Sequence, residues 1–426
     1  MQPYPPLHTL MAAALLRQSG YSVALFDATL ALDPDQEFRV ALEQHGPKLV
    51  AVIEDNFNFL TKMCLTRNRD LAFRMCGIAS RAGIPSIVNG SDSTDRTAAY
   101  LDAGFEMVLT GEVESTILEA VRMVGRGEKA RPLRGPGIAD LDSIPDAAWD
   151  LVDLESYRAL WKQSHGHFSL NMVSSRGCPY RCNWCAKPVF GSGYRFRSPE
   201  RVAQEMLRLK REFQADHIWF ADDIFALSPQ WTRAFADAVE RIDAAVPFKM
   251  QSRCDLMTRN TVEALRRAGC VEVWMGAESG SQKILDEMDK GTQVEQIQEA
   301  RENLRRHGIR AGLFLQFGYP GERWSEIEQT IRMVRETAPD DIGVSVSYPL
   351  PGTGFYDRVA RDLGEKVNWR DSGDLSMMFR GAYPTEFYRE LANALHEEVR
   401  GGDPRWDRVR ELEKVSTRPE VAWTCC

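Results

Sequence analysis

Between residues 168 and 348 the chain repeats one unit six times, a short apolar run followed by a polar or amphipathic stretch of helical length. The runs fall at 170–174, 217–221, 248–252, 271–275, 311–317 and 343–348. Strands this short and apolar, alternating with helices, pair in parallel and are covered on their faces by those helices. Ser198 and Ser228, each followed by proline, supply two helix starts, and Gly269 stops the helix at 259–268. Further helices are expected at 294–307 and 324–336. Six β/α units make an incomplete barrel, open on one side, with its chemistry at the C-terminal ends of the strands.

Residues 1–126 alternate in the same way on a smaller scale. Helices are expected at 7–19, 35–45, 60–82, 96–103 and 114–124, and strands at 21–27, 49–53, 86–88 and 107–109. This is an open, Rossmann-like parallel sheet. Such a domain normally begins with a strand, whereas this chain enters a helix almost at once. Either that strand is absent or the start codon lies upstream. Residues 127–160, with their Pro, Gly and Asp punctuation, read as a linker. The barrel is assigned to 161–354, and 355–426 reads as a helical region whose helix at 386–399 Thr385 would cap.

The 426 residues are 43% hydrophobic and 27% charged, the profile of a soluble globular protein with room for about three domains. No apolar run approaches the ~20 residues of a spanning helix, and no secretory signal opens the chain. A cytoplasmic location is therefore expected, with the nine cysteines as free thiols or ligands rather than disulfides. A net charge of −8 without a basic block gives no reason to expect nucleic acid as a partner.

The loop after the first barrel strand reads Arg-Gly-Cys-Pro-Tyr-Arg-Cys-Asn-Trp-Cys from Arg176, placing Cys178, Cys182 and Cys185 in a C-x₃-C-x₂-C spacing. Three thiolates this close can hold three irons of a cubic cluster, leaving the fourth iron open to a ligand that is not cysteine. A zinc site would need a fourth Cys or His to close its tetrahedron. The nearest histidines, His165 and His167, precede the strand, and Cys254 is far along the chain.

On this run the chain resembles the radical S-adenosylmethionine (SAM) superfamily. The resemblance implies a [4Fe–4S] cluster on Cys178, Cys182 and Cys185, with SAM chelating the open iron and being cleaved to methionine and a 5′-deoxyadenosyl radical. It also implies SAM contacts at successive strand ends. Trp184 would lie beside the adenine. Asp222 or Asp223 would meet the SAM ammonium by charge-assisted hydrogen bonds. Arg253 would face a SAM or substrate carboxylate, and Gly276, Glu278 and Ser279 would approach the ribose. The Gly-Tyr-Pro-Gly-Glu run from Gly318 would lie near the adenine, with Glu322 open to a purely structural role, and Pro349-Leu-Pro-Gly-Thr would shape the substrate side. An electron donor such as flavodoxin or ferredoxin is the implied protein partner.

Residues 1–126 resemble the cobalamin-binding-like domain found before the barrel in one large subfamily, through Pro5-Pro6, the run from Gly20 to Asp27, Val88-Asn-Gly-Ser-Asp and Gly111-Glu-Val-Glu-Ser-Thr. The resemblance implies corrin contacts from Gly90, Ser91, Gly111 and Glu112. The D-x-H-x-x-G motif that supplies a histidine to cobalt is absent, with Thr29 where histidine would stand, and His8 reads as a helix residue. Glu54 and Asp55 put two carboxylates where the subfamily often has small or hydroxyl residues. They would either bond a corrin amide or mark a pocket with another job. The leading expectation is cobalamin-dependent methylation of an unactivated carbon in a small molecule or natural product. A radical SAM cyclase or rearrangement enzyme without methyl transfer is the alternative, and an iron–sulfur or corrinoid sensor is the non-enzyme reading. A methylthiotransferase would need three N-terminal cysteines, and only Cys64 and Cys76 precede the motif. Trp369, Met377, Met378, Phe379 and Tyr383 would line an apolar substrate side or serve as plain core, and the terminal Cys425 and Cys426 read as a tail.

Overall fold

The structure is a computed structural model that describes residues 2–55, 57, 65–128, 131–363 and 375–416. Asn56, Cys64, Trp369, Cys425 and Cys426 lie outside the described residues. The chain divides into two compact units, one of Met1–Pro179, Lys187–Phe225 and Ala234–Phe248, the other of Tyr180–Ala186, Ala226–Arg233 and Lys249–Cys426.

The first unit holds α1 (Leu7–Gln18), α2 (Pro34–His45), strand β1 (Val50–Ile53), α3 (Leu65–Arg81), β2 (Ser86–Asn89), α4 (Ser91–Asp95), α5 (Thr97–Asp102), β3 (Met107–Thr110), α6 (Ile117–Gly125) and β4 (Arg131–Arg134). The four strands form one parallel sheet in the order β1-β2-β3-β4. Successive side chains on a strand point to opposite faces, and the packing follows that alternation. Ile87, Met107 and Leu109 pack with Ala12 of α1 and Ile117, Ala120 and Met123 of α6. Val88 and Val108 pack with Ala72 and Cys76 of α3 and Tyr100 of α5. A fully buried Ile or Leu contributes about 2 kcal/mol by removal from water, so both faces hold the helices.

Two expectations for this unit are corrected. Residues 21–27 form no strand. Phe26 packs instead against Phe38 in the α2–α3 cluster, and Asp27 accepts from Tyr157 Oη at 2.7 Å. The stretch read as linker contains β4, in parallel register with β3 (Met107↔Arg131). Its sequence, Arg-Pro-Leu-Arg, has a proline that only an edge strand tolerates, and β4 is an edge. The linker also runs into α7 (Leu154–His165), capped by Asp153 and stopped by Gly166 in the left-handed region.

The remaining elements are β5 (Ser169–Met172), β6 (Ser175–Arg176), β7 (Arg195–Phe196), α8 (Pro199–Arg211), β8 (His217–Phe220), α9 (Pro229–Arg241), β9 (Phe248–Arg253), α10 (Arg259–Ala268), β10 (Cys270–Glu278), α11 (Gln282–Glu287), α12 (Val294–Arg306), β11 (Arg310–Phe317), α13 (Trp324–Thr337), β12 (Asp341–Val346), α14 (Gly354–Val359), α15 (Thr385–Val399) and α16 (Trp406–Ser416). A six-stranded sheet runs in the order β12-β11-β10-β9-β8-β5, the sequence order of the six predicted strands. The Ser198 hydroxyl accepts from Arg201 N at the start of α8, and Gly269 at φ 102° ends α10, as read from the sequence. Thr385 differs from expectation. It is the first residue of α15, and its hydroxyl accepts from Met377 N at 3.1 Å instead of capping the helix.

In the second unit β10, β11 and β12 pair in parallel, with a register shift between Gly276 and Glu278. Just beyond it Gly280 lies against α13. A Cβ there would sit 2.4 Å from Gln329 O and 2.7 Å from Thr330 Cα, both backbone atoms. Gly280→Ala is therefore expected to cost about 3 kcal/mol. Gly125→Ala, at a helical position with nothing within 4 Å, should be neutral or slightly stabilising. Thermal unfolding of the two variants checks this; equal midpoints would contradict it.

Candidate active site

In the first unit the cysteine loop begins at a two-residue antiparallel pairing of β6 with β7 (Ser175↔Phe196). Gly177 follows at φ 78°, and a Cβ there would meet Gly193 O at 2.2 Å, so only glycine fits. Cys178 N donates to Gly191 O at 3.4 Å, and Lys187 Nζ donates to Cys178 O at 2.8 Å. Asp222, directly after β8, is buried and turns back onto the same loop. It accepts from Ser174 N at 3.1 Å, from Ser174 Oγ at 2.7 Å and from Ser175 Oγ. Burial pushes its carboxyl up to about 6, against the pull of those hydrogen bonds. Asp223 is exposed.

Arg176, one residue before Gly177, is fully buried. Its Nη1 donates to Glu112 Oε2 at 2.7 Å and its Nη2 to Glu114 Oε1 at 2.6 Å. Arg195 also donates to Glu112. Phe57 and Phe190 stack 5.0 Å apart under the Arg176 guanidinium, and His8 Nε2 lies 3.4 Å from Glu114 Oε2. Burial alone would raise the Glu114 carboxyl; Arg176, then His8, outweigh it and hold the group well below the usual range. Glu112 is thus an ion-pair partner of two arginines.

Gly90 and Ser91 are covered by the chain itself. Ser91 N donates to Glu54 Oε2 at 2.9 Å, and a Cβ on Gly90 would meet that oxygen at 2.4 Å. Burial, then the charge on Asp92, raises the Glu54 carboxyl to about 7, and burial raises Asp55 to about 6. Asp92 is held by Arg69 at 2.5 and 2.6 Å and by Tyr100 Oη at 2.9 Å. Gly111, at φ 80°, accepts from Asn89 Nδ2 at 3.0 Å.

In the second unit, Cys182 and Cys185 lie in a segment secured by Asn183. Asn183 N donates to Met288 O at 3.0 Å and its Nδ2 to Glu287 O at 2.7 Å, while its Oδ1 accepts from Tyr319 Oη at 2.9 Å and its O from Phe355 N at 2.9 Å. The Trp184 indole Nε1 is buried without a hydrogen-bond partner. A buried N–H left open is costly, and it leaves a donor for a ligand beside Cys185. Arg253, ending β9, is buried on the Tyr180 ring and pairs with Asp255 at 2.9 Å. At the end of β10, Glu278 adopts φ 59°, and its Oε1 takes a 2.8 Å bond from Lys290 Nζ, both side chains buried. Gly276 leaves room for that pair, since a Cβ would meet Glu278 Oε1 at 2.5 Å and Lys290 Nζ at 2.6 Å. Burial lowers the Lys290 ammonium, but Glu278 and then Cys182 outweigh it and raise the group. Ser279 is occupied by α13, its Oγ lying 3.2 Å from Thr330 Oγ1.

Gly318, after β11, has φ 76° and donates its N–H to Glu322 Oε2 at 2.5 Å. Glu322 Oε1 is buried and unpartnered, and burial pushes the carboxyl up to about 8. Met377 seals Gly318 from the other side, its Sδ lying 2.9 Å from where a Cβ would be. Phe379 packs edge-on to Phe355, Tyr383 stacks on Phe387, and Met378 is buried. These residues serve as core. Thr353 caps α14 through Tyr356 N.

Lys290, Asn183, Asp255 and Arg176 were missed as site residues. Asn183 and Arg176 stand inside the cysteine run itself, which was the signal available for them. Nothing in the sequence marks Lys290 as buried.

Among the described residues no group of three or more His, Cys, Asp and Glu side chains is gathered around a point that could hold a metal ion. Cys178, Cys182 and Cys185 are partly exposed and in no disulfide, and thiolates are the usual protein ligands of iron–sulfur clusters.

Residues 172–334 match the family described as the radical SAM superfamily, and the chain carries a radical SAM domain. It is 28% identical over 306 residues to an uncharacterised methyltransferase of Pyrococcus horikoshii, a match covering 68% of this chain and 64% of that protein, a little under two-thirds of its length. It is 23% identical over 393 residues to the anaerobic magnesium-protoporphyrin IX monomethyl ester cyclase of Rubrivivax gelatinosus, covering 85% and 67%. Among solved structures, the radical S-adenosylmethionine methyltransferase TsrM from Kitasatospora setae, with cobalamin and a [4Fe-4S] cluster bound, superposes with a TM-score of 0.69 at 18% identity, covering 85% of this chain and 76% of that one. That likeness bears out the α/β fold, a parallel sheet followed by the radical SAM region and a helical C-terminus.

A carboxylic acid raised to about 8 binds its proton more tightly in the folded chain than unfolded, where its value is 4.5. Folded-state stability therefore falls as pH rises through that window. Glu322→Gln cannot ionise, so its loss of stability between pH 6 and pH 9 should be smaller than the parent's, by on the order of 3 kcal/mol. Parallel pH slopes in denaturant titrations would contradict this.

Proposed function

We propose that this chain is a radical SAM enzyme that carries out cobalamin-dependent methylation of an unactivated carbon in a small molecule. The observation that carries the reading is positional. The cysteine loop follows the first strand of the six-stranded sheet, and Asp222, Arg253, Glu278 and Gly318 each stand at or just after the C-terminal end of the next strand in turn. Chemistry collects at these strand ends in parallel β/α folds. The radical SAM domain and the methyltransferase relative support the same reading.

Cys178, Cys182 and Cys185 would hold a [4Fe–4S] cluster. When bound, a reduced cluster supplies the electron that cleaves SAM to methionine and a 5′-deoxyadenosyl radical, and cobalamin supplies a methyl group. The chain's own residues bind and orient. Trp184 Nε1 offers a buried donor beside Cys185. Glu278, held by Lys290 through Oε1, would accept from ligand hydroxyls. Gly318 and Glu322 fix the turn after β11. No histidine stands where cobalt would take one, so any corrin is bound without that ligand.

A second reading, a radical SAM cyclase or rearrangement enzyme that transfers no methyl group, is favoured by one observation. The Glu54 carboxylate fills the face of Gly90 and bonds Ser91 N, the positions expected to meet a corrin. The cyclase relative points the same way.

Anaerobic incubation of iron-reconstituted chain with SAM and dithionite is expected to yield 5′-deoxyadenosine, and Cys182→Ala should abolish it. No product from the parent would contradict the reading. Corrin binding by gel filtration and transfer of labelled methyl from SAM separate the two enzyme readings. Binding with transfer supports methylation, and product formation without any corrin binding supports the second.

A further inference from the structure

Resting on the radical SAM reading, we propose that Arg253 is a positioning residue of the cysteine loop that sets the potential of the cluster through Cys182, and is not an open clamp for a carboxylate of SAM or substrate. The guanidinium is already committed on every side. Its Nε donates to Asp255 Oδ1 at 2.9 Å and its Nη2 to Asp255 Oδ2 at 3.3 Å and to Gly291 O at 3.4 Å. The Nη1 donates to Cys182 Sγ at 3.9 Å. Its flat face lies on the Tyr180 ring, 3.7 Å from the centroid, well inside the range of a cation–π contact. Only 5% of the residue is exposed. Tyr180 and Cys182 belong to the C-x₃-C-x₂-C run, so one side chain from the end of β9 grips two positions of the loop.

The physical consequence follows from charge. Cluster potentials respond to net charge, to hydrogen bonds on the sulfurs and to exposure. Adding an electron adds negative charge to the sulfur cage. A buried cation whose N–H reaches a ligand sulfur favours that state, and burial strengthens the interaction. Asp255 works against it, because its carboxylate offsets part of the Arg253 field while holding the fork in place. Lys290, held by Glu278, is a second buried cation near Cys182. Arg253 differs from it in touching the sulfur itself.

The test is an EPR-monitored redox titration of anaerobically reconstituted full-length chain without SAM, with iron counted per chain. The parent must first take up a cluster; failure to do so sinks the radical SAM reading, and this inference with it. Given a cluster, Arg253→Gln is expected to make reduction about tenfold less favourable, a shift of about −59 mV for a one-electron couple. Arg253→Lys should fall between the two. Asp255→Asn is expected to move the potential the other way. An Arg253→Gln protein with full iron and the parent's potential would overturn the proposal, and so would weakened SAM binding at an unmoved potential, which is the signature of a carboxylate clamp. If Arg253→Gln fails to hold iron, Asp255→Asn decides, and an unchanged or more negative potential there overturns the proposal.

Discussion

The ion pair of Arg176 with Glu112 and Glu114 is the interaction on which the first unit's chemistry depends. A guanidinium with 1% exposure between two buried carboxylates is stable only while all three are present. Removing one partner strands a buried charge, at a cost of about 3–5 kcal/mol. Arg176 precedes Gly177 and Cys178, while the two carboxylates follow β3 of the N-terminal sheet. The pair therefore ties the start of the cysteine loop to the end of a strand more than 60 residues earlier. Gly177 and Asp222 complete the anchoring, the first by a backbone conformation with no room for a side chain, the second by collecting the Ser174 and Ser175 donors.

The second unit uses the same principle with opposite polarity. There the buried cations Arg253 and Lys290 are each matched by one carboxylate, Asp255 and Glu278, beside Cys182. Buried charges persist only when paired, and the Arg253 guanidinium so held lies against the Cys182 sulfur. Asn183 uses backbone and side chain together to fix the segment between the second and third cysteines.

Much of this was legible because it is local. Ser198 before Pro199 and Gly269 after Ala268 mark helix ends by backbone chemistry alone, and the six strands of the larger sheet were found within a few residues. What escaped is non-local. Residues 21–27 alternate like a strand, but a strand exists only where a neighbour supplies hydrogen bonds. Arg131–Arg134 reads as linker because this edge strand buries Leu133 between an exposed proline and an exposed arginine, too little apolar pattern to mark a strand. Charged residues read as surface, so the burial of Lys290, Arg176 and Glu54 was invisible until their partners came from distant segments. Ser279 and Glu112 were expected at ligands, and both are engaged by the chain itself.

The central claim is that three cysteines leave one iron open for SAM. The most direct measurement is Mössbauer spectroscopy of chain reconstituted with ⁵⁷Fe, recorded with and without SAM. The account predicts that SAM makes one iron of a four-iron cluster distinct from the other three. A spectrum that SAM leaves unchanged, or a site that takes zinc in place of iron, would contradict it.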